Sequence, residues 1–486
     1  MDIKLLKDVK VPPTSDAVGV FLTKELDLEF ENSVSSIVSS LLEKEQFVGK
    51  DGEVLVTYIK DEENYTKLIL VGLGEKKELN TEKLRRAIGK LIKKSKELKI
   101  KELFIPNNLS IYLENIKPEL FIAETVCLAD YKFDKYLSDK KDKTLELVSI
   151  VGEDEVSLEE GKTLAYATNI ARDLTATPAN DLTPVILADK VKELAKENGF
   201  EVDVFDEKKI QKLKMEAFWQ VAKGSDNPPR FIVMRYLGDK GNDDITALVG
   251  KGITYDSGGL SLKKSDGMST MKTDMGGSAA VIGAISAIAK QKLKVNAVAI
   301  VAACENIPSA KSYHPGDIIG SMAGKTIHVK STDAEGRLTL ADAVYYAAEK
   351  ENASRVLDIA TLTGSCITAL GKRVSAVLTN NEDFYARLLG ASRSSDEKVW
   401  RLPIFDIYKE AYKHPEADLN NVGEGGAGTI TAGMFIGEFN KDLPWIHMDI
   451  AGKTYVDKDL DYIAKGPTGV GVRMLYHLVK SYEKKE

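Results

Sequence analysis

Apolar and polar positions along the chain follow two periods in alternation. Lys67 to Leu73 (KLILVGL) is a nearly unbroken apolar run that stops at Gly74, the pattern of a buried strand. Thr81 to Leu98 comes next with Leu84, Ile88, Leu91 and Leu98 on one helical face, and Leu103-Phe104-Ile105 starts another strand. Leu145 to Val151 reads as one more strand. Ser157 and Glu160 have the spacing of a capping box, which predicts a long helix ending near Arg172. Further on, the pattern predicts a helix from Pro184 to Asn198 closed by Gly199, and helices near 276–290 and 338–350. Strand-like runs stand at Phe231–Tyr236, Ile245–Val249, Val295–Ala303 and Val356–Ile359. Strands interleaved with helices, without a repeat of fixed period, imply an α/β protein. We expect a small N-terminal α/β domain over 1–155, a linker helix over 156–175, and a larger C-terminal α/β domain over 176–486. The sheet of the larger domain is expected to be mixed or mostly parallel, flanked by helices.

Composition narrows the class. With 486 residues, 43% apolar and 29% charged, the chain can bury a sizeable core and has the make-up of a soluble globular protein. Its longest apolar stretches reach about ten residues, against the roughly 18 needed to cross a bilayer. The first residues, MDIKLLKD, are broken by charge and offer no apolar export segment, so a cytoplasmic location is expected. Three cysteines, Cys127, Cys304 and Cys366, are widely spaced and argue against both a disulfide framework and a thiolate zinc site. A net charge of −7 disfavours general attraction to polyphosphate. The segment 81–101 nevertheless carries nine basic residues against two acids, Glu82 and Glu97. A solvated face accounts for it best, and nucleic-acid binding, as a second regulatory role, is the alternative.

Several familiar motifs fail on inspection. Gly320-Ser-Met-Ala-Gly324-Lys325-Thr326 has one residue too few between its glycines for a phosphate loop, and Thr326 to Lys330 alternates like a strand where such a loop must open a helix. Gly250-Lys-Gly252 leads to Tyr255 where a dinucleotide fingerprint requires glycine. The five histidines form neither an HExxH motif nor an i, i+4 pair, and are read as structural; no GxSxG elbow is present. Two other segments carry the chemistry. In the first, the strand ending at Val249 feeds Lys251, Asp256 and Lys263, and then Asp274, all interleaved with glycines. In the second, Asp333 and Glu335 lie two apart and can point the same way if the backbone is extended. Four carboxylates gathered in one place repel one another unless cations sit among them, and paired divalent ions are the simplest resolution.

These segments, VGKGITYDSGGLSLK (249–263), MKTDMGG (271–277) and TDAEGRL (332–338), resemble the signatures of the leucyl aminopeptidase, or cytosol aminopeptidase, family. Supporting similarity runs through Arg172–Asn180, Glu305–Pro308, Pro315–Asp317, Thr361–Gly364 and His447–Gly452, so the resemblance covers about 165–475; the N-terminal third matches in size and α/β character only. It implies a metal-dependent enzyme that hydrolyses the N-terminal peptide bond. Lys251, Asp256, Asp274 and Glu335 would hold one divalent ion, and Asp256, Asp333 and Glu335 a second, with manganese or zinc the expected metals. Lys251 would then be a neutral ligand, far from its usual ammonium state. Lys263 and Arg337 match the two residues that act without binding metal, Lys263 on the developing oxyanion and Arg337 by holding bicarbonate. The substrate's free α-amine would bind at one ion. Met271, Thr361, Gly364 and Ala451 match the pocket for the first side chain, alongside Lys251, Asp256, Lys263, Asp274 and Asp333 as substrate contacts. Leucine and methionine are the expected preferences, peptides the partners, and a homohexamer the expected assembly, with no membrane partner and with nucleic acid kept only as the alternative second role. Two positions depart from the pattern: Ser331 stands where the family usually has Asn, and Tyr255 where Phe is frequent.

Overall fold

A computed structural model describes the chain except residues 8–9, 26–37, 40–46, 62–63, 108, 110–111, 113–116, 140–144 and 485–486. It divides into two compact units, Met1–Tyr166 with Asp457–Lys465, and Ala167–Val456 with Gly466–Glu486.

In the first unit six strands form one sheet: β1 (Asp2–Leu6), β2 (Ala17–Thr23), β3 (Val54–Asp61), β4 (Asn64–Gly74), β5 (Glu102–Ile105) and β6 (Leu147–Val151), in the order β1-β6-β5-β2-β4-β3. All neighbours run parallel except β3 and β4. Alternation along β2 sends Ala17 and Phe21 to one core and Val18, Val20 and Leu22 to another, so both faces are covered and the strands read as unbroken apolar runs. Helix α1 (Thr81–Glu97) lies where its period places it, and Asn80 caps it by accepting the Lys83 N–H at 3.0 Å. Its basic residues are largely matched within the unit. Arg85 is buried against Glu124 and stacks on Phe121, Arg86 meets Asp461 at 2.8 Å, and Lys96 meets Asp130 at 3.1 Å. A row of cations already facing acids is a poor electrostatic footprint for a polyphosphate. After α2 (Pro118–Asp130), the capping box fails: helix α3 runs from Glu155 to Ala176, with Asp154 as the side-chain cap. Asp154 accepts the Ser157 N–H at 2.9 Å and the Ser157 hydroxyl at 2.5 Å, so Ser157 sits inside the first turn. The division between the two units falls within α3.

In the second unit the last turns of α3 are followed by α4 (Pro184–Asn198), which ends at Gly199 with φ +86°, as expected of a left-handed C-cap. Its main sheet holds eight strands: β7 (Glu201–Phe205), β8 (Arg230–Leu237), β9 (Ile245–Asp256), β10 (Asn296–Asn306), β11 (Arg355–Ala360), β12 (Ser375–Thr379), β13 (Val399–Arg401) and β14 (Trp445–Asp449). Their order is β13-β12-β14-β11-β9-β10-β8-β7, with the central β14, β11, β9 and β10 parallel and antiparallel pairings towards both edges. The sheet is thus mixed. Helices pack around it, among them α5 (Glu207–Lys212), α6 (Glu216–Ala222), α7 (Gly276–Lys290), α8 (Gly336–Lys350), α9 (Gly364–Leu370), α10 (Glu382–Ser395), α11 (Gly428–Gly437) and α12 (Val472–Lys480). Strand β9 is longer than its apolar run predicts, because its pairing with β10 continues through Lys251 and Ile253 and resumes at Tyr255 and Asp256. Among the described residues no helix is long and apolar enough to cross a membrane.

Candidate active site

The functional side chains gather at the carboxyl ends of β9, β10 and β11, where parallel α/β sheets characteristically build sites. On a regular strand Lys251 and Asp256, five residues apart, would face opposite ways. The register resolves this. Cys304 pairs with Ile253 but Glu305 pairs with Tyr255, leaving Thr254 as the extra residue of a β-bulge, which returns Asp256 to the face of Lys251. Close packing then requires glycine. A Cβ on Gly277, at the start of α7, would lie 2.1 Å from the Ile359 carbonyl oxygen, and one on Gly336, at the start of α8, 2.5 Å from Lys251 Cε. Both helices are thereby drawn onto the strand ends.

Asp256, Asp333 and Glu335 each offer a carboxylate oxygen within 4.8 Å of the others. Asp333 and Glu335 do not converge through an extended backbone, as the sequence suggests. Residues 332–333 form a turn, and Glu335 already has helical φ/ψ (−75°, −37°) at the head of α8, so the turn supplies the convergence. Asp274 joins from the other side through Lys251, whose Nζ lies 2.8 Å from Asp274 Oδ2, 2.8 Å from Glu335 Oε1 and 3.2 Å from the Thr361 carbonyl oxygen. Lys263 Nζ lies 2.7 Å from Asp256 Oδ2 and also contacts Asp333 Oδ1. Asp256 Oδ1 accepts from the Gly258 N–H at 2.9 Å and from Asn306 Nδ2 at 2.8 Å.

The electrostatics are those of a site that wants more positive charge. Burial raises the pKa of Asp274, Glu335 and Asp333, and neighbouring carboxylates add to the rise. Burial by itself would lower the pKa of both lysines, but the surrounding acids outweigh it and raise them. Four carboxylates share two ammonium groups, which leaves a net excess of two negative charges in a largely buried pocket when all are ionised. Oxygen donors in this number and closeness suit divalent cations. Arg337 is the opposite case. It is buried, its Nη1 donates to the Asn421 carbonyl oxygen at 2.6 Å, its Nε has no hydrogen-bond partner among the described residues, and burial pushes its pKa down to about 10. A buried guanidinium with an idle donor suits an oxyanion.

Of the four residues expected to line a side-chain pocket, Thr361 is tied to the centre by its hydroxyl, which donates to Asp274 Oδ1 at 2.8 Å. Ala451 is linked to the Thr361–Thr363 segment by Asp449, whose Oδ1 accepts the N–H groups of Leu362 at 3.2 Å and Ala451 at 3.1 Å. Gly364 opens α9 with free space beside its Cα, and Met271 stands in the 3₁₀ turn that delivers Asp274. None of the five histidines belongs to the acidic group. His447, fully buried, pairs with Asp358 at 2.5 Å, and His328 stacks on His414 at 4.0 Å between ring centroids. Three buried contributors escape the sequence reading: Asn306, Asn421 and Asp449. Asn306 and Asp449 fall inside two of the supporting segments, 305–308 and 447–452, without a role of their own, and Asn421 lies outside them and carries no local mark.

A carboxylate and lysine cluster at the head of the parallel strands of a mixed α/β sheet, with an electrostatic demand for cations, is the arrangement of a metal-dependent enzyme. The family model for the catalytic domain of the cytosol aminopeptidase family matches residues 169–476, and that for its N-terminal domain matches residues 17–140, so the likeness extends into the N-terminal third as well. A "Probable cytosol aminopeptidase" of Clostridium perfringens is 49% identical over 98% of both chains, and one of Alkaliphilus oremlandii 44% identical over the full length of both. Among solved structures, the bottromycin maturation enzyme BotP in complex with Mn superposes with a TM-score of 0.87 at 29% identity, covering 97% of this chain and 100% of that one. The chain belongs to the cytosol aminopeptidase family and is a metal-dependent aminopeptidase.

Proposed function

We propose that the chain is a two-metal aminopeptidase that releases N-terminal leucine and other apolar residues from peptides in the cytoplasm. The observation that carries this reading is the convergence of Asp256, Asp333 and Glu335 beside the Lys251–Asp274 pair. Lys251, Asp256, Asp274 and Glu335 would hold one ion, and Asp256, Asp333 and Glu335 the other, so that Asp256 and Glu335 would serve both. When bound, such ions supply Lewis acidity, polarising a carbonyl and lowering the pKa of water. Carboxylates with one amine donor suit manganese or zinc.

The chain's own groups do the rest. Lys263, partly exposed and held cationic by its acids, donates to the carbonyl oxygen as negative charge develops there. Arg337 stays protonated at neutral pH and cannot act as a base; its free Nε would hold bicarbonate, which supplies the proton acceptor. Thr361, Gly364, Ala451 and Met271 would wall the pocket for the first side chain, and their small or apolar character favours leucine and methionine.

An N-acetylated leucyl peptide should resist cleavage while its free-amine counterpart is hydrolysed, because the site reads the free amine. Equal rates on the two, measured by chromatography of the products, would sink the exopeptidase assignment. By family resemblance the assembly is a homohexamer, so light scattering should give six times the 53.3 kDa of one chain. A monomer mass at micromolar concentration would contradict it.

A further inference from the structure

Asn421 is fully buried and comes directly after the short strand Leu419–Asn420, which pairs in parallel with Ile327–His328. Its N–H extends that pairing by donating to the His328 carbonyl oxygen at 3.0 Å. Its side chain then turns onto the adjacent loop, residues 330–334. Oδ1 accepts the Lys330 N–H at 2.8 Å and the Ser331 N–H at 3.3 Å. Nδ2 donates to the Ser331 carbonyl oxygen at 2.7 Å and the Ala334 carbonyl oxygen at 3.4 Å. Both lone pairs and both N–H groups of the amide are thus directed at one loop, and the main-chain oxygen of the same residue receives Arg337 Nη1 at 2.6 Å.

We propose that Asn421 is a positioning residue. It replaces a strand ladder for the loop that carries Asp333 and leads into Glu335, and in the same place it aims Arg337. Only a short amide meets the requirement. Asp would set a lone pair against the Ser331 carbonyl oxygen, Gln would overreach by a methylene, and Ala would remove the acceptor of the Lys330 and Ser331 N–H groups. The consequence for metal binding rests on the two-metal reading above, whereas the consequence for the loop does not.

The test compares Asn421→Ala and Asn421→Asp with Leu419→Ala in the full chain. Leu419 is a buried core residue of the same short strand and contributes no side-chain hydrogen bond to the loop. In metal-free protein, hydrogen exchange at the Lys330 and Ser331 amides should accelerate at least about tenfold in Asn421→Ala, which removes their acceptor, by less in Asn421→Asp, which keeps the acceptor but repels the Ser331 carbonyl oxygen, and not in Leu419→Ala. In titrations with Mn²⁺ alone, both Asn421 variants should bind one ion about 10- to 100-fold more weakly, the usual scale for losing an outer-shell partner. The other ion should be held within about threefold of wild type, and kcat should fall with KM little changed. Leu419→Ala should lower Tm without moving either Mn²⁺ affinity. Unchanged loop exchange in the Asn421 variants, or an equal loss of Mn²⁺ affinity in Leu419→Ala, overturns the proposal. A wild-type chain that takes up fewer than two Mn²⁺ defeats the two-metal reading instead, and loop exchange then still decides the role of Asn421. If Asn421→Ala does not fold, the isosteric Asn421→Asp gives the same readouts.

Discussion

Lys263→Ala is expected to lower kcat by about 10² to 10³, the scale for removing one oxyanion donor, while retaining its metal content. The neighbouring substitution Lys251→Ala is expected to lose both metal and activity. Composition treats the two lysines as equals, and their surroundings do not. Lys251 is buried, with its Nζ between Asp274 and Glu335 and 3.2 Å from the Thr361 carbonyl oxygen, so it sits inside the donor set. Lys263 reaches in from a partly exposed position, between Asp256 and Asp333, with its charge reinforced by both. As a metal ligand Lys251 must give up a proton that the acids around it now hold firmly. Lys263 has no such requirement. Metal analysis beside steady-state kinetics on the two purified variants separates the roles. Loss of metal from Lys263→Ala together with full metal content in Lys251→Ala would reverse the assignment.

Gly277→Ala should be the most disruptive single methyl group in the catalytic unit. The new Cβ would lie 2.1 Å from the Ile359 carbonyl oxygen and 2.9 Å from the Lys251 nitrogen, both backbone atoms of paired central strands. Neither can move without opening the sheet, so the head of α7 must lift away. Overpacking of this kind typically costs about 1–3 kcal/mol, and a backbone contact belongs at the upper end or beyond. The displaced atoms carry Lys251 and lead into Thr361, so a fall in Tm should be accompanied by loss of activity. Gly390→Ala serves as the contrast. It lies in α10 with nothing within 4 Å of the added carbon, and should raise stability by up to about 1 kcal/mol through helix propensity. Equal Tm values for wild type and Gly277→Ala would rule out so close an approach of helix to strand.

Much of this was legible from the sequence because local chemistry decided it. Helices α4 and α7 lie where period, Pro184 and Gly199 put them, and the glycines around Lys251 and Asp274 mark close approach. The rest was decided by tertiary packing. The cap of α3 is Asp154 and not Ser157, since either residue type can cap and only the incoming chain selects between them. The bulge at Thr254 has no signature of its own, yet without it Lys251 and Asp256 could not share a face. Asn421 and Asp449 are ordinary polar residues in sequence. They become structural hubs only when the strand Leu419–Asn420 and β14 come to rest beside loops that lie 91 and 87 residues away in the chain.

The cluster of Asp256, Asp274, Asp333, Glu335 and Lys251 is proposed to work by holding two divalent ions. Stripping the protein of metal and titrating Mn²⁺ or Zn²⁺ back, while following hydrolysis of a leucyl peptide and counting bound ions, tests this most directly. The stripped protein should be inactive, and its activity should return and saturate at two ions per chain. Full activity in the metal-free protein, or saturation at a single ion, would contradict it.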